Sequence, residues 1–222
     1  MPKHRSQQCY TKVMSSQLPE NVEAIDELAK CIKDTGSAEA VLFDKSQNEL
    51  RTLLVSDLVQ STAILHSLGD ELGREYIKQH DGIIRTCIQA HHGVEVAHTG
   101  DGVITSFASP SRALHCARAI QEAVAVYNQT AQLAAMHIRI GVHAGRPLQQ
   151  EGRLLGACVN AAVRICAKAS GGQVLASRQV YDLILPYWFS MRPRGYVDLR
   201  GVPQPVEIFE LDWTNQIATA SN

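Results

Sequence analysis

Apolar residues group into short blocks along the chain, and the spacing inside each block changes from one to the next. Residues 1–16 are polar and aperiodic. From Pro19 to Gly36, Val22, Ile25, Leu28, Ala29 and Ile32 recur at helical spacing, which predicts an amphipathic helix packed on the domain or on a partner subunit. Arg51–Leu58 is an apolar run with a polar end, the pattern of a buried strand. Ser61-Thr62 then opens a helical region, punctuated by Gly69-Asp70, that continues through Tyr76, Ile77, Ile83, Ile84 and Ile88 to His91-His92-Gly93. Short strands at 94–97 and 103–107 flank Thr99-Gly100-Asp101-Gly102, where Asp-Gly in a short link signals a hairpin. Further on the pattern predicts a helix over 113–127, a strand over 137–143 and a helix over 160–169. A strand at 173–175, a helix at 179–185 and two strands at 196–201 and 205–211, joined by a Pro/Gly turn, complete the chain. Strands and helices alternate without a strict βαβ repeat. The expected fold is therefore α+β: one mixed or antiparallel sheet with helices packed against it. The expected division is an extension at 1–50, a domain at 51–212 and a tail at 213–222.

The chain has 222 residues, 45% of them apolar and 19% charged, which is a globular composition. The 21 basic residues meet 22 acidic ones, so no basic excess exists to displace phosphate counterions, and a general nucleic-acid binder is excluded. No apolar run approaches the roughly 18 residues of a membrane span. Met1-Pro2-Lys3-His4-Arg5 leads into polar residues and not into an apolar secretory core. These features predict a soluble, cytoplasmic protein. The six cysteines (Cys9, Cys31, Cys87, Cys116, Cys158, Cys166) form no Cys-x-x-Cys pair, which argues against a zinc site or a disulfide framework. Cys87, Cys116 and Cys166 lie on apolar helical stripes, where a thiol serves as a small hydrophobe.

The candidate chemistry lies in two places. Asp57 closes an apolar strand just before a helix start, and Asp101 sits in a hairpin turn. Two such carboxylates can converge on divalent metal, since hard cations take oxygen ligands and a bridged ion pair suits in-line displacement at phosphorus. The helix start after Asp57 offers free N–H groups to phosphate oxygens. The simpler alternative makes Asp57 a helix cap and Asp101 an ordinary turn residue. Asn160 and Arg164 are four apart, hence on one face of a helix whose other residues are apolar. An amide and a guanidinium in that setting suit an anion that gains charge, or else Arg164 belongs to a structural ion pair.

Taken in order, the motifs resemble the class III nucleotidyl cyclases, the adenylate and guanylate cyclase family. Val55-Ser56-Asp57-Leu58-Val59-Gln60-Ser61-Thr62 resembles the family's first metal motif, and Ala97-His98-Thr99-Gly100-Asp101-Gly102 its second. Arg139-Ile140-Gly141-Val142-His143-Ala144-Gly145, then Gly156 to Arg164, then Leu199-Arg200-Gly201-Val202-Pro203-Gln204-Pro205-Val206-Glu207 follow in the family's order. Each motif alone is weak, and the ordered set over residues 51 to 211 is specific. The resemblance implies a head-to-tail homodimer with shared sites. It implies two Mg²⁺ or Mn²⁺ ions per site on Asp57 and Asp101, with the Leu58 carbonyl as a further ligand. Ser61, Thr62 and Arg200 would bind the triphosphate. Asn160 would orient the ribose, and Arg164 would stabilise charge on the α-phosphate. The implied reaction turns a nucleoside triphosphate into its 3′,5′-cyclic monophosphate and pyrophosphate.

The base-reading positions depart from the family. Adenylate cyclases carry Lys three residues before the hairpin Gly and Asp seven residues before the Asn. Ala97 and Arg153 stand there, and Ala97 also lacks the acidic residue of guanylate cyclases. A donor such as Arg153 suits a pyrimidine carbonyl, most simply O4 of uracil. UTP is thus the expected substrate, with CTP next, as in the pyrimidine cyclases of bacterial antiphage defence that this short form resembles. The alternatives are an adenylate cyclase with other base contacts, a silent nucleotide-binding regulator, or a dimerisation module. Retention of Asp57, Asp101, Asn160 and Arg164 argues against the silent ones.

Overall fold

A computed structural model describes residues 49–98, 100–150, 153–185 and 188–214, so the amphipathic segment at 19–36 lies outside the described residues. The order of elements is β1 (Arg51–Leu58), α1 (Ser61–Ala90), β2 (Val94–His98), β3 (Gly102–Phe107), α2 (Pro110–Thr130) and β4 (Ile138–Gly145). There follow β5 (Leu148–Gln150), β6 (Arg153–Leu155), α3 (Ala157–Lys168), β7 (Val174–Ser177), α4 (Arg178–Asp182), β8 (Met191–Val197) and β9 (Val206–Leu211). Seven strands make one sheet in the order β2-β3-β1-β4-β7-β9-β8, and β5 and β6 form a separate hairpin. Among the described residues β4 and β7 are the one parallel pair, which makes the sheet mixed. The first six elements follow the split βαβ-βαβ arrangement. The α+β expectation holds.

Side-chain alternation divides the strands between two cores. Leu54 and Leu58 of β1, with Val103, Phe107, Ile138, Ile140 and Val142, pack under α1 and α2. Leu53 and Val55, one position out of phase, meet Ile104 and the α3 residues Val159, Ala162, Val163 and Cys166 on the opposite face. By the same parity Asp57 belongs to the α3 face. Helix α1 continues past Gly69, whose φ of 73° and ψ of 178° break the helical path at the expected punctuation.

Three expectations need correction. The strand expected at 196–201 runs from Met191 to Val197, so Arg200 falls in the loop before β9. Pro193 and Gly195 hide it, because Pro removes a ladder donor; β8 is an edge strand whose register shifts between these residues. Helix α3 begins at Ala157 and not at 160, and α4 ends at Asp182 and not at 185. The β5–β6 hairpin, with three-residue strands, carries Arg153 and has no counterpart in the expected elements.

Candidate active site

The β1–β3 register places Asp57 opposite Gly102, next to Asp101, so two strand ends bring the carboxylates together. Leu58 N donates to Asp101 O at 3.1 Å, and Ser61 Oγ donates to Asp101 Oδ2 at 2.5 Å. The alternative of Asp57 as a helix cap fails: Gln60 holds the cap position of α1. Asp57 instead accepts from Arg139, its register partner on β4, with Nη2 at 2.5 Å and Nε at 2.7 Å. Sequence reasoning missed this partner. The available signal was a basic residue at the α3-facing parity of an alternating strand, beside Gly141 and His143.

Burial pushes the Asp57 carboxyl up to about 6; Arg139 pulls it down, and Asp101 pushes it up again. A buried carboxyl pushed up in part by a neighbouring carboxylate is a site that a cation relieves. Among the described residues no group of three His, Cys, Asp or Glu could hold a metal ion. The groups that could hold an ion here are the Asp57 and Asp101 carboxylates, with the Leu58 backbone carbonyl as the further ligand the family resemblance implies. That set fits Mg²⁺ or Mn²⁺, which bind through one or two carboxylates and leave the remaining positions to substrate phosphates and water.

Helix α3 lies unusually close to β4. A Cβ at Gly141 would stand 2.2 Å from Cys166 N and 2.7 Å from Ala162 O, and one at Gly145 would stand 2.6 Å from Cys158 Cβ. Glycine at both positions lets the helix rest on the strand backbone. Two stripes of α3 are covered: Val159, Ala162, Val163 and Cys166 by β1 and β3, Ala161 and Ile165 by Leu175, Leu199, Val206 and Ile208. At 3.6 residues per turn one side remains, and exposed Asn160 and half-buried Arg164 lie there. Their stripe is not the one that meets Asp57.

The remaining candidates spread around this face. Ala97 packs against the cluster containing Leu154 of β6, next to Arg153, so the two base-reading positions stand on neighbouring elements. Ser61 is buried on Asp101, Thr62 is exposed at the start of α1, and Arg200 is exposed beside buried Leu199. His143 does not reach the carboxylates; its Nδ1 lies 2.9 Å from Ser177 Oγ and ties β4 to β7, and burial lowers it to about 4. A cavity of about 780 Å³ beside α4, lined by Arg178, Asp182, Tyr196, Pro203 and Glu207, holds none of the candidate residues. Cys87, Cys116 and Cys166 are buried free thiols, as expected. Among the described residues no helix is long and apolar enough to cross a membrane.

Comparison with known proteins agrees with this fold. An uncharacterised protein of Mycobacterium tuberculosis is 30% identical over 173 residues, which are 78% of this chain and 44% of that protein. The chain thus spans less than half the length of that relative. The adenylyl cyclase of P. aeruginosa superposes with a TM-score of 0.68 at 20% identity, over 74% of this chain and 94% of that one. The guanylate cyclase domain from Catenaria anguillulae, solved with GTP, gives 0.65 at 20% identity over 73% and 96%. Residues 43–212 match the family described as the adenylate and guanylate cyclase catalytic domain, and the chain belongs to that family.

Proposed function

We propose that this chain is a nucleotidyl cyclase, a phosphorus–oxygen lyase that converts a nucleoside triphosphate to its 3′,5′-cyclic monophosphate and pyrophosphate. The observation that carries this reading is the convergence of Asp57 and Asp101 at adjacent strand ends of a family-type domain. Asp57, Asp101 and the Leu58 carbonyl would hold two divalent ions. When bound, these supply charge neutralisation on the triphosphate and a more acidic ribose 3′-hydroxyl. Ser61 keeps the Asp101 carboxylate turned toward β1. Arg200 and the N-terminus of α1 at Thr62 receive the terminal phosphates. Asn160 orients the ribose, and Arg164 meets the charge that grows on the α-phosphate, a role worth several kcal/mol in comparable sites.

Asn160 and Arg164 lie on the uncovered side of α3, away from the chain's own Asp57 face. This supports a head-to-tail homodimer in which each site takes carboxylates from one subunit and Asn160 with Arg164 from the other. The substrate reading is a pyrimidine triphosphate, UTP before CTP. Ala97 offers the base no polar group, and Arg153 offers donors where adenine's amine needs an acceptor. The product would then serve as a messenger of the kind used in antiviral defence. Incubation with ATP, GTP, CTP and UTP in direct competition, with Mn²⁺, tests the proposal. Cyclic UMP as the main product is expected. A preference for ATP that Arg153→Ala leaves untouched would make the protein an adenylate cyclase with unusual base contacts, and no cyclic product at all would remove the enzyme.

A further inference from the structure

The turn that presents Asp101 is braced from a second side, by side chains to which the cyclase motifs assign no role. Asp81 on α1 has one carboxylate oxygen, Oδ1, within 3.1 Å of two histidines: His80 Nδ1 and His98 Nε2. His98 closes β2, and its Nδ1 lies 3.2 Å from the backbone N of Gly100, the residue before Asp101. That contact assigns the tautomer. The Gly100 N–H donates, so His98 Nδ1 is the bare acceptor, and Nε2 carries the proton donated to Asp81. Gly100 has φ of 98°, a left-handed conformation that glycine adopts without a Cβ penalty.

The far end of the chain of contacts is costly to build. His80 is fully buried, and its Nε2 meets no hydrogen-bond partner among the described residues. An apolar side chain would fill that space without the desolvation penalty of an unpaired nitrogen. What His80 adds is a fixed donor that holds the Asp81 carboxylate in one orientation. Helix α1 is tied to β2 a second time by Arg85, whose Nε donates to Glu95 Oε2 at 3.2 Å and whose Nη1 lies 3.6 Å from Asp81 Oδ2. Burial raises the Asp81 carboxyl, and the hydrogen bonds from His80 and His98, together with their charge interactions, more than offset this, holding it below the usual carboxylate range.

We propose that His80, Asp81 and His98 are positioning residues that fix the β2–β3 turn from α1 and so set Asp101 for metal binding. The inference rests on the cyclase reading for its purpose. The geometry it predicts is independent of which base is used. Ser61 and Leu58 hold Asp101 from the β1–α1 side, and this network holds it from the other. With one side released, Asp101 loses its fixed place relative to Asp57, and the two-carboxylate site loosens.

His98→Asn separates positioning from folding. Its side-chain oxygen still accepts from Gly100, but it is too short to reach Asp81, and the buried His80–Asp81 pair stays intact. Mn²⁺ titration of the full chain, followed by the electron paramagnetic resonance of the free ion, reads metal affinity without turnover. Loss of an outer-shell partner weakens metal binding by about 10- to 100-fold, and that is the expected result for His98→Asn and Asp81→Ala alike. The double variant should be no weaker than the worse single one, because both cut the same chain of contacts. Turnover should fall with it, in kcat more than in KM for the nucleotide. Mn²⁺ affinity within twofold of the unmodified protein in folded His98→Asn overturns the proposal, as do fully additive losses. If Asp81→Ala fails to fold, His98→Asn alone decides. Weakened Mn²⁺ binding in the variants of a protein that forms no cyclic product would uphold the network and remove the cyclase reading.

Discussion

Replacing Gly141 by alanine tests whether the close seat of α3 on β4 is what aims the helix. The added Cβ would stand 2.2 Å from Cys166 N and 2.6 Å from Cys166 Cα, against an ordinary contact that begins at 3.4 Å. The difference, 3.4 minus 2.2, is 1.2 Å, and both contacted atoms are helix backbone that cannot swing aside. Either α3 lifts by that amount or β4 bends. Overpacking of this kind costs about 1–3 kcal/mol and at times more. The helix carries Asn160 and Arg164, and a displacement of about 1 Å in a positioned group costs on the order of 10²-fold in rate. Gly141→Ala should therefore lower the urea midpoint and cut kcat about a hundredfold at saturating Mn²⁺ and nucleotide. Gly82→Ala supplies the contrast: it lies exposed in α1 with nothing within 4 Å of the new Cβ, so it should stabilise by about 0.5–1 kcal/mol and leave kcat unchanged. A Gly141→Ala protein with the original midpoint and turnover would refute the argument.

Asp57→Ala and Asp101→Ala should each abolish turnover while circular dichroism shows a retained fold; an active Asp57→Ala protein would sink the metal assignment. The Asp57 carboxyl, raised from 3.8 to about 6, sets a pH dependence. Protons compete with metal below that value, so Mn²⁺ affinity should fall up to about tenfold per pH unit below 6 and level off above 7, as equilibrium titrations at pH 5, 6 and 7.5 would show. Stability responds in the opposite sense. The folded chain binds more protons than the unfolded one between about pH 4 and 6, so the metal-free fold loses stability as pH rises through that window. The paired change Ala97→Lys with Arg153→Asp should shift the substrate preference toward ATP, because it supplies a donor for adenine N1 and an acceptor for its amine; an unmoved preference in the four-way competition would place the base elsewhere.

The elements most legible in the sequence are those with a single strong pattern. Leu53-Leu54-Val55 is apolar on both parities because β1 lies between two helical layers, and that run by itself marks a central strand. β8 is hidden for the opposite reason: an edge strand tolerates Pro193 and Gly195, so its signal resembles a loop. In the candidate site, Asp57 and Asp101 are legible as residues, but their meeting rests on a register between two strands distant in the sequence, β1 and β3. Arg139 lies 82 residues from Asp57, and only the β1–β4 register makes them partners. The place of Ser61 at a helix start suggests a phosphate ligand, and the fold shows it bonded to Asp101. Local patterns fix which residues form an element and which face they share. Contacts across elements depend on register and on helix seating, for which a lone Arg or Gly gives little local sign.

The central claim is that Asp57 of one subunit and Arg164 of another serve one reaction. Asp57→Ala and Arg164→Ala, each inactive alone, should together regain cyclic nucleotide formation when mixed under conditions where subunits exchange. One of the two sites in every mixed dimer is then complete, so the activity of the mixture should approach a quarter of that of the unmodified protein, because about half of randomly exchanged dimers are mixed and each carries one working site of two. Proven exchange with no activity recovered would contradict the account and confine the site to a single chain.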